Sequence, residues 1–167
     1  MSTVSVGPLG ALEGFHDYGA REDDFRAAVL DGLKQPQKRV PAKFFYDERG
    51  SALFDQICEL DEYYPTRTEL KLLRDHAGEV AELTGPGASL VEFGSGSNIK
   101  AQIVLAALDQ PTAFVPIDIS REHLLASAQA LAEMFPDVAV IPATSPNWRA
   151  CWIAFCPVVA SRTRSTS

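Results

Sequence analysis

The stretch SLVEFGSGSNIKAQ, residues 89–102, decides the fold. An apolar run enters a Gly-x-Gly turn and leaves as a lysine-bearing apolar segment, the pattern of a strand, a tight turn and a helix. Glycine carries no side chain to hold a ligand off, and the first turn of a helix presents unpaired N–H groups. Gly94 and Gly96 are therefore candidates for a nucleotide site, the plain alternative being a tight turn that holds nothing. They supply two of the three glycines of the dinucleotide fingerprint, but Ile99 stands where the third belongs, which counts against NAD.

Downstream, short apolar runs alternate with helical patterns. Strands are expected at Leu90 to Phe93, Ala113 to Ile117 and Val138 to Pro142, and helices at Asn98 to Leu108 and Ser120 to Phe135. Such alternation implies parallel βαβ units in an open α/β sheet. Upstream, Glu22, Asp23 and Asp24 precede Phe25, Val29, Leu30 and Leu33, which reads as a short helix that Pro36 and Pro41 end. Ser51 is placed to cap a second helix carrying Leu53, Phe54 and Ile57. Thr66 and Glu69 have capping-box spacing ahead of the apolar face Leu70, Leu73, Ala77, Val80 and Leu83.

This divides the chain into a loosely held arm (1–20), a helical segment (21–87), a partial cofactor-binding unit (88–143) and a divergent tail (144–167). The tail has no Asp or Glu and no sustained period, as expected of sequence read out of frame or an unrelated ending after a truncation. A sheet of three strands would leave an exposed edge.

Two carboxylates sharpen the reading of the turn. Asp118 ends the second strand, 22 residues beyond Gly96, where an acid accepts hydrogen bonds from ribose hydroxyls. Glu92 enters the turn itself. Beside a dinucleotide it would face two phosphates, whereas a sulfonium and an ammonium would suit it, and S-adenosylmethionine carries both without any phosphate. The plain alternatives are a solvated carboxylate at Glu92 and an acid beside the Ser120 helix cap at Asp118.

Composition bounds the rest. With 167 residues, 46% of them hydrophobic, the chain is long enough for one domain with a real core. A net charge of −7 and no basic block argue against nucleic acid. No apolar run approaches the roughly 18 residues of a membrane span, and no basic leader precedes the weakly apolar start, so a cytoplasmic protein without a membrane partner is expected. Cys58, Cys151 and Cys156 have neither disulfide nor metal-ligand spacing, and no metal is expected. His16, His76 and His123 are isolated and are expected in surface or partly packed roles.

The motifs KFFYDERGSALFDQI, EYYPTRTE, LVEFGSGSNIK and VPIDIS, in that order, resemble the histidine-specific, S-adenosylmethionine-dependent methyltransferases, the family of the histidine Nα-methyltransferase of ergothioneine biosynthesis. The likeness runs from about Val40 to about Ala143. It implies an α/β fold, a truncated class I methyltransferase Rossmann-like fold with an N-terminal helical segment. It also implies S-adenosyl-L-methionine as cofactor and the α-amino group of L-histidine as the methyl acceptor. By the same resemblance Tyr46 and Tyr63 reach the active site, Tyr63 toward the amino acid, Gly94 and Lys100 are cofactor-loop positions, and Asp118 is the ribose acid. The proton acceptor stays open between water and a tyrosine. Where the family has an acidic dipeptide that holds the adenine, this chain has Thr144-Ser145-Pro146. A fragment that binds S-adenosylmethionine without turnover is the alternative, and an NAD-dependent oxidoreductase stands behind it. Oligomeric state is not legible in the residues.

Overall fold

Ala113 to Ile117 form a run without a single polar side chain, and the sheet is built around it. The computed structural model describes residues 4–6, 11–18 and 25–145. In chain order the elements are β1 (Val4–Val6), β2 (Phe15–Asp17), α1 (Phe25–Lys34), a 3-10 turn (Ala42–Phe45), α2 (Glu48–Glu59), α3 (Tyr64–Thr84), β3 (Ser89–Phe93), α4 (Ile99–Ala107), β4 (Ala113–Asp118), α5 (Arg121–Met134), β5 (Ala139–Val140) and β6 (Ala143–Thr144).

β4 is central and buried from Ala113 to Ile117, as an apolar strand of a parallel sheet must be. β3 runs parallel along one side, Ser89 opposite Ala113 and Phe93 opposite Ile117. β5 and β6 lie along the other side in one continuous register, which pairs Ala113 with Ala139 and Ile117 with Ala143. The interruption falls where Pro142 comes opposite Pro116, since neither residue has an N–H to donate. The strand expected at 138–142 is thus two short pieces, and the second extends past the boundary expected at Ala143.

Alternate residues of β4 serve opposite faces. Phe114 joins Ala101 and Leu105 of α4, Ala128, Leu131 and Ala132 of α5, and Val140 in one buried cluster. Val115 and Ile117 pack with Ile141 and Ala143 on the other side. Both connecting helices sit on the Phe114 face, as successive parallel strands laid down in one direction require.

Four expectations need correction. Residues 11–18, expected within a loose arm, are built into the sheet: β2 runs parallel to β6, His16 opposite Ala143, and β1 adds antiparallel to β2. Leu12 is buried and Phe15 is fully buried, so the edge expected to be bare beside the third strand is covered. Ser51 does not cap α2; the Asp47 carboxylate does, accepting from the Gly50 N–H at 2.7 Å. The Thr66–Glu69 capping box does not form, because α3 starts at Tyr64 with Pro65 in its first turn, where a fixed φ is favourable, and Thr66 is already inside the helix. The apolar face of α3 is covered only in part: Ala77 is buried against α4, but Leu83 is 88% exposed. A helix of 9 residues is less than half as long as one of 21. Residues 146–167, most of the expected tail, and Cys151 and Cys156 with them, lie outside the described residues.

Candidate functional site

The glycine turn enters the left-handed region at every second residue from Gly94 to Asn98. Gly94 and Gly96 have φ of 68° and 52°, a region glycine enters without strain, and Asn98 follows at 59°. The turn is tied to β4 by the Gly94 and Ser95 N–H groups, which donate to the Ile117 carbonyl at 2.7 and 3.3 Å. A Cβ placed on Gly94 or Gly96 would meet no atom within 4 Å, so the space before the turn is open to a ligand. Beneath it, Ser95 and Asn98 are buried with side-chain polar atoms that have no protein partner.

Asp118 closes the turn from the other strand. Its Oδ2 accepts from the Gly96 N–H at 3.2 Å, and its Oδ1 accepts from the Ile119 and Ser120 N–H groups at 2.7 and 3.0 Å. One carboxylate thus fixes both the turn and the start of α5. The contact to the Ser120 N–H is the one that an acid beside the helix cap is expected to make.

Glu92 stands fourth in β3 with its side chain largely buried. Oε1 is 4.0 Å from the Lys100 ammonium, and Oε2 is buried without a partner. Burial pushes its pKa from 4.5 up to about 7; Lys100 pulls it down, while Glu69 and Asp118 add to the rise. Lys100 also donates to Glu69 of α3 at 3.4 Å, so its ammonium lies between two carboxylates.

Across from the strands, α2 and α3 form a second wall. Phe54 meets Tyr63 edge to face, ring centres 6.0 Å apart. Arg67 donates to the Leu60 carbonyl at 2.7 Å and to the Asp61 carbonyl, pinning the turn between the two helices. Leu60 O also accepts from the Tyr63 N–H at 3.1 Å, so the same turn sets Tyr63.

Between the walls lie two adjoining hollows. One, of about 560 Å³, is lined by Tyr63, Arg67, Glu69, the glycine turn and Lys100. The other, of about 500 Å³, is lined by Tyr46, Asp55, Gly94, Lys100, Asp118 and His123. They share Phe54, Asp55, Gly94, Gly96 and Lys100, and they open at the carboxyl ends of β3 and β4, where open α/β sheets hold their ligands. A wider hollow at the opposite strand ends, near Pro86, Thr112 and Pro136, is lined by Gly87 of the Gly85–Gly87 turn that leads into β3, not by a strand-to-helix turn.

Six of the seven residues singled out in the sequence, Tyr46, Tyr63, Gly94, Gly96, Lys100 and Asp118, line this paired cleft, the tyrosines in different hollows. Glu92 lines neither and reaches the cleft only through Lys100. Sequence reading missed Asp55, Arg67 and His123. Asp55 and Arg67 lie inside the quoted motifs, but nothing in residue spacing says that His123, expected in a surface or partly packed role, comes opposite Asp55. Among the described residues no three His, Cys, Asp or Glu side chains gather as a metal site, and no helix is long and apolar enough to cross a membrane.

Residues 25–149 match a family described as histidine-specific, S-adenosylmethionine-dependent methyltransferase. The chain is 42% identical over 118 residues to the histidine N-alpha-methyltransferase of Mycobacterium tuberculosis, covering 69% of this chain and 36% of that protein. Its likeness to the enzyme of the same name from Mycolicibacterium smegmatis is 38% with the same coverage. With ergothioneine biosynthesis protein 1 of Neurospora crassa it is 39% identical over 94 residues, 54% of this chain and 11% of that one. The chain thus spans about a third of the length of the two bacterial relatives.

Proposed function

As the chain belongs to the histidine-specific, S-adenosylmethionine-dependent methyltransferase family, we propose that its cleft holds S-adenosylmethionine and serves methylation of the α-amino group of L-histidine. The observation that carries this reading is the glycine turn, open in front, flanked by Asp118 at one strand end and by the half-neutralised Glu92 at the other. The residues fit the group on their own chemistry. Asp118 keeps acceptor capacity for a ribose hydroxyl, the bare backbone at Gly94 and Gly96 permits close approach, and Glu92 favours a cation.

The bound cofactor supplies an electrophilic methyl group on a sulfonium. What remains for the protein is chiefly positioning. Tyr63, held by Phe54 and by the Arg67 turn, presents a phenol that both packs and hydrogen-bonds, suited to an amino acid's polar backbone. Tyr46, in the hollow next to it, offers the same chemistry from the end of the 3-10 turn.

The test is calorimetric titration of the chain with S-adenosylhomocysteine, with circular dichroism on the same sample, followed by a histidine methylation assay. Saturable binding by folded chain supports the cofactor site, and methyl transfer supports the full reading. Binding without transfer restricts the chain to holding the cofactor. No binding by folded chain overturns the proposal.

A further inference from the structure

Resting on that reading, we propose that Asp17 is a positioning residue for the cleft, holding two of its segments from a strand that lies ahead of the matched residues 25–149. The sheet register puts Asp17 opposite Thr144 and Thr144 opposite Asp118, the last residues of β2, β6 and β4. Residues paired in register point to the same face of a sheet, so the three form a row across its carboxyl end. Asp17 uses both oxygens there. Oδ1 accepts from the Thr144 hydroxyl at 2.8 Å, and Oδ2 accepts from the Arg121 guanidinium at 3.3 Å.

Each contact leads to the cleft by one short step. Thr144 runs directly into Ser145, which lines the hollow and whose N–H donates to the Asp118 carbonyl at 3.1 Å. Arg121 opens α5, whose first turn carries His123 to the same hollow. One carboxylate near the start of the chain thus ties the end of β6 to the start of α5. The two contacts differ in weight. Thr144 is 6% exposed, and a buried hydroxyl left without a partner is costly. The Arg121 side chain is 52% exposed, where water and salt screen an ion pair, and it keeps a second hold over the Phe15 ring. The Thr144 bond therefore carries the effect, and the acceptor oxygen of Asp17 matters more than its charge.

The experiment titrates the full chain and its variants with S-adenosylhomocysteine by calorimetry, with circular dichroism to show that each variant is folded. Asp17→Ala and Thr144→Val, which keeps the side chain's shape and removes its hydroxyl, are each expected to weaken binding about three- to tenfold, the worth of one hydrogen bond. Asp17→Asn keeps the acceptor oxygen and should bind within about twofold of the parent. The double variant Asp17→Ala with Thr144→Val should bind within about twofold of the weaker single one, because both substitutions break the same bond. A merely structural role would lower stability and leave the affinity of folded chain unchanged. Unchanged affinity in Thr144→Val and in folded Asp17→Ala, an Asp17→Asn chain as weak as the alanine variant, or losses that multiply in the double variant each overturn the assignment and leave the cofactor site standing. If Asp17→Ala does not fold, Thr144→Val and Asp17→Asn decide by the same criteria. Failure of the unsubstituted chain to bind S-adenosylhomocysteine overturns both.

Discussion

Lys100 neutralises Glu92 only from one side: its ammonium is 4.0 Å from Oε1, while Oε2 is buried with no partner. Burial therefore wins, and the folded-state pKa of Glu92 is about 7 against an ordinary 4.5. Between those values the folded chain keeps a proton that the unfolded chain has lost, so stability falls as pH rises from about 4.5 and the loss is complete above about 7. Glu92→Gln removes this penalty. The variant should be more stable at pH 8 by about 1–3 kcal/mol and no more stable at pH 4. Urea unfolding at both pH values reads it, and an unchanged pH dependence would refute the assignment.

The same carboxylate makes binding depend on pH in the opposite sense. Ionised Glu92 attracts a cationic ligand, so affinity for S-adenosylmethionine should rise several-fold from pH 6 to pH 8 as the proton leaves. Glu92→Gln should flatten that rise and weaken S-adenosylmethionine at pH 8. NAD, whose pyrophosphate the carboxylate repels, serves as the control: its binding, if measurable, should be unaffected or improved. Titrations of both ligands at the two pH values decide, and a parallel loss for both would place Glu92 in a structural role.

Arg67 fixes two successive carbonyls at once, a fork geometry that a single ammonium cannot reproduce. Its release should free the turn that sets Tyr63. Arg67→Ala and Arg67→Lys are both expected to weaken L-histidine about tenfold in the presence of saturating S-adenosylhomocysteine, by analogy with the loss of one or two good hydrogen bonds. S-adenosylhomocysteine itself should bind within about twofold of the parent, since the glycine turn and Asp118 are untouched. Competition titration separates the two effects, and an equal loss for both ligands would mean that the clamp supports the whole cleft.

Legibility followed the range of the interaction. That Glu92 and Asp118 come near the ends of neighbouring strands was readable, because two strands of one parallel sheet end side by side, but not that Glu92 lines neither hollow. The pairing of Asp55 with His123 was not, since it joins two helices from separate parts of the chain and no period encodes it. The capping box failed for a local reason: Pro65 pulled the helix start ahead of Thr66. β2 is three residues long, too short for alternation to show, and its place depends wholly on the partner strand.

That partner dependence makes β2 testable. Phe15 is fully buried, the Arg121 guanidinium lies 5.0 Å from its ring centre, and Asp17 accepts from Thr144 at 2.8 Å and pairs with Arg121 at 3.3 Å. These contacts hold residues 15–17 along β6, whose far side would otherwise be an open sheet edge. Phe15→Ala should destabilise the chain by about 3–5 kcal/mol, the cost of emptying a buried aromatic site. His16→Ala, beside it on the same strand, should cost under about 1.5 kcal/mol, because its ring is neither large nor fully buried. If the segment were the loose arm that composition suggests, both substitutions would be neutral. Chemical unfolding of the two variants, with light scattering to detect edge-to-edge association of the Phe15→Ala chain, distinguishes a sheet strand from an arm.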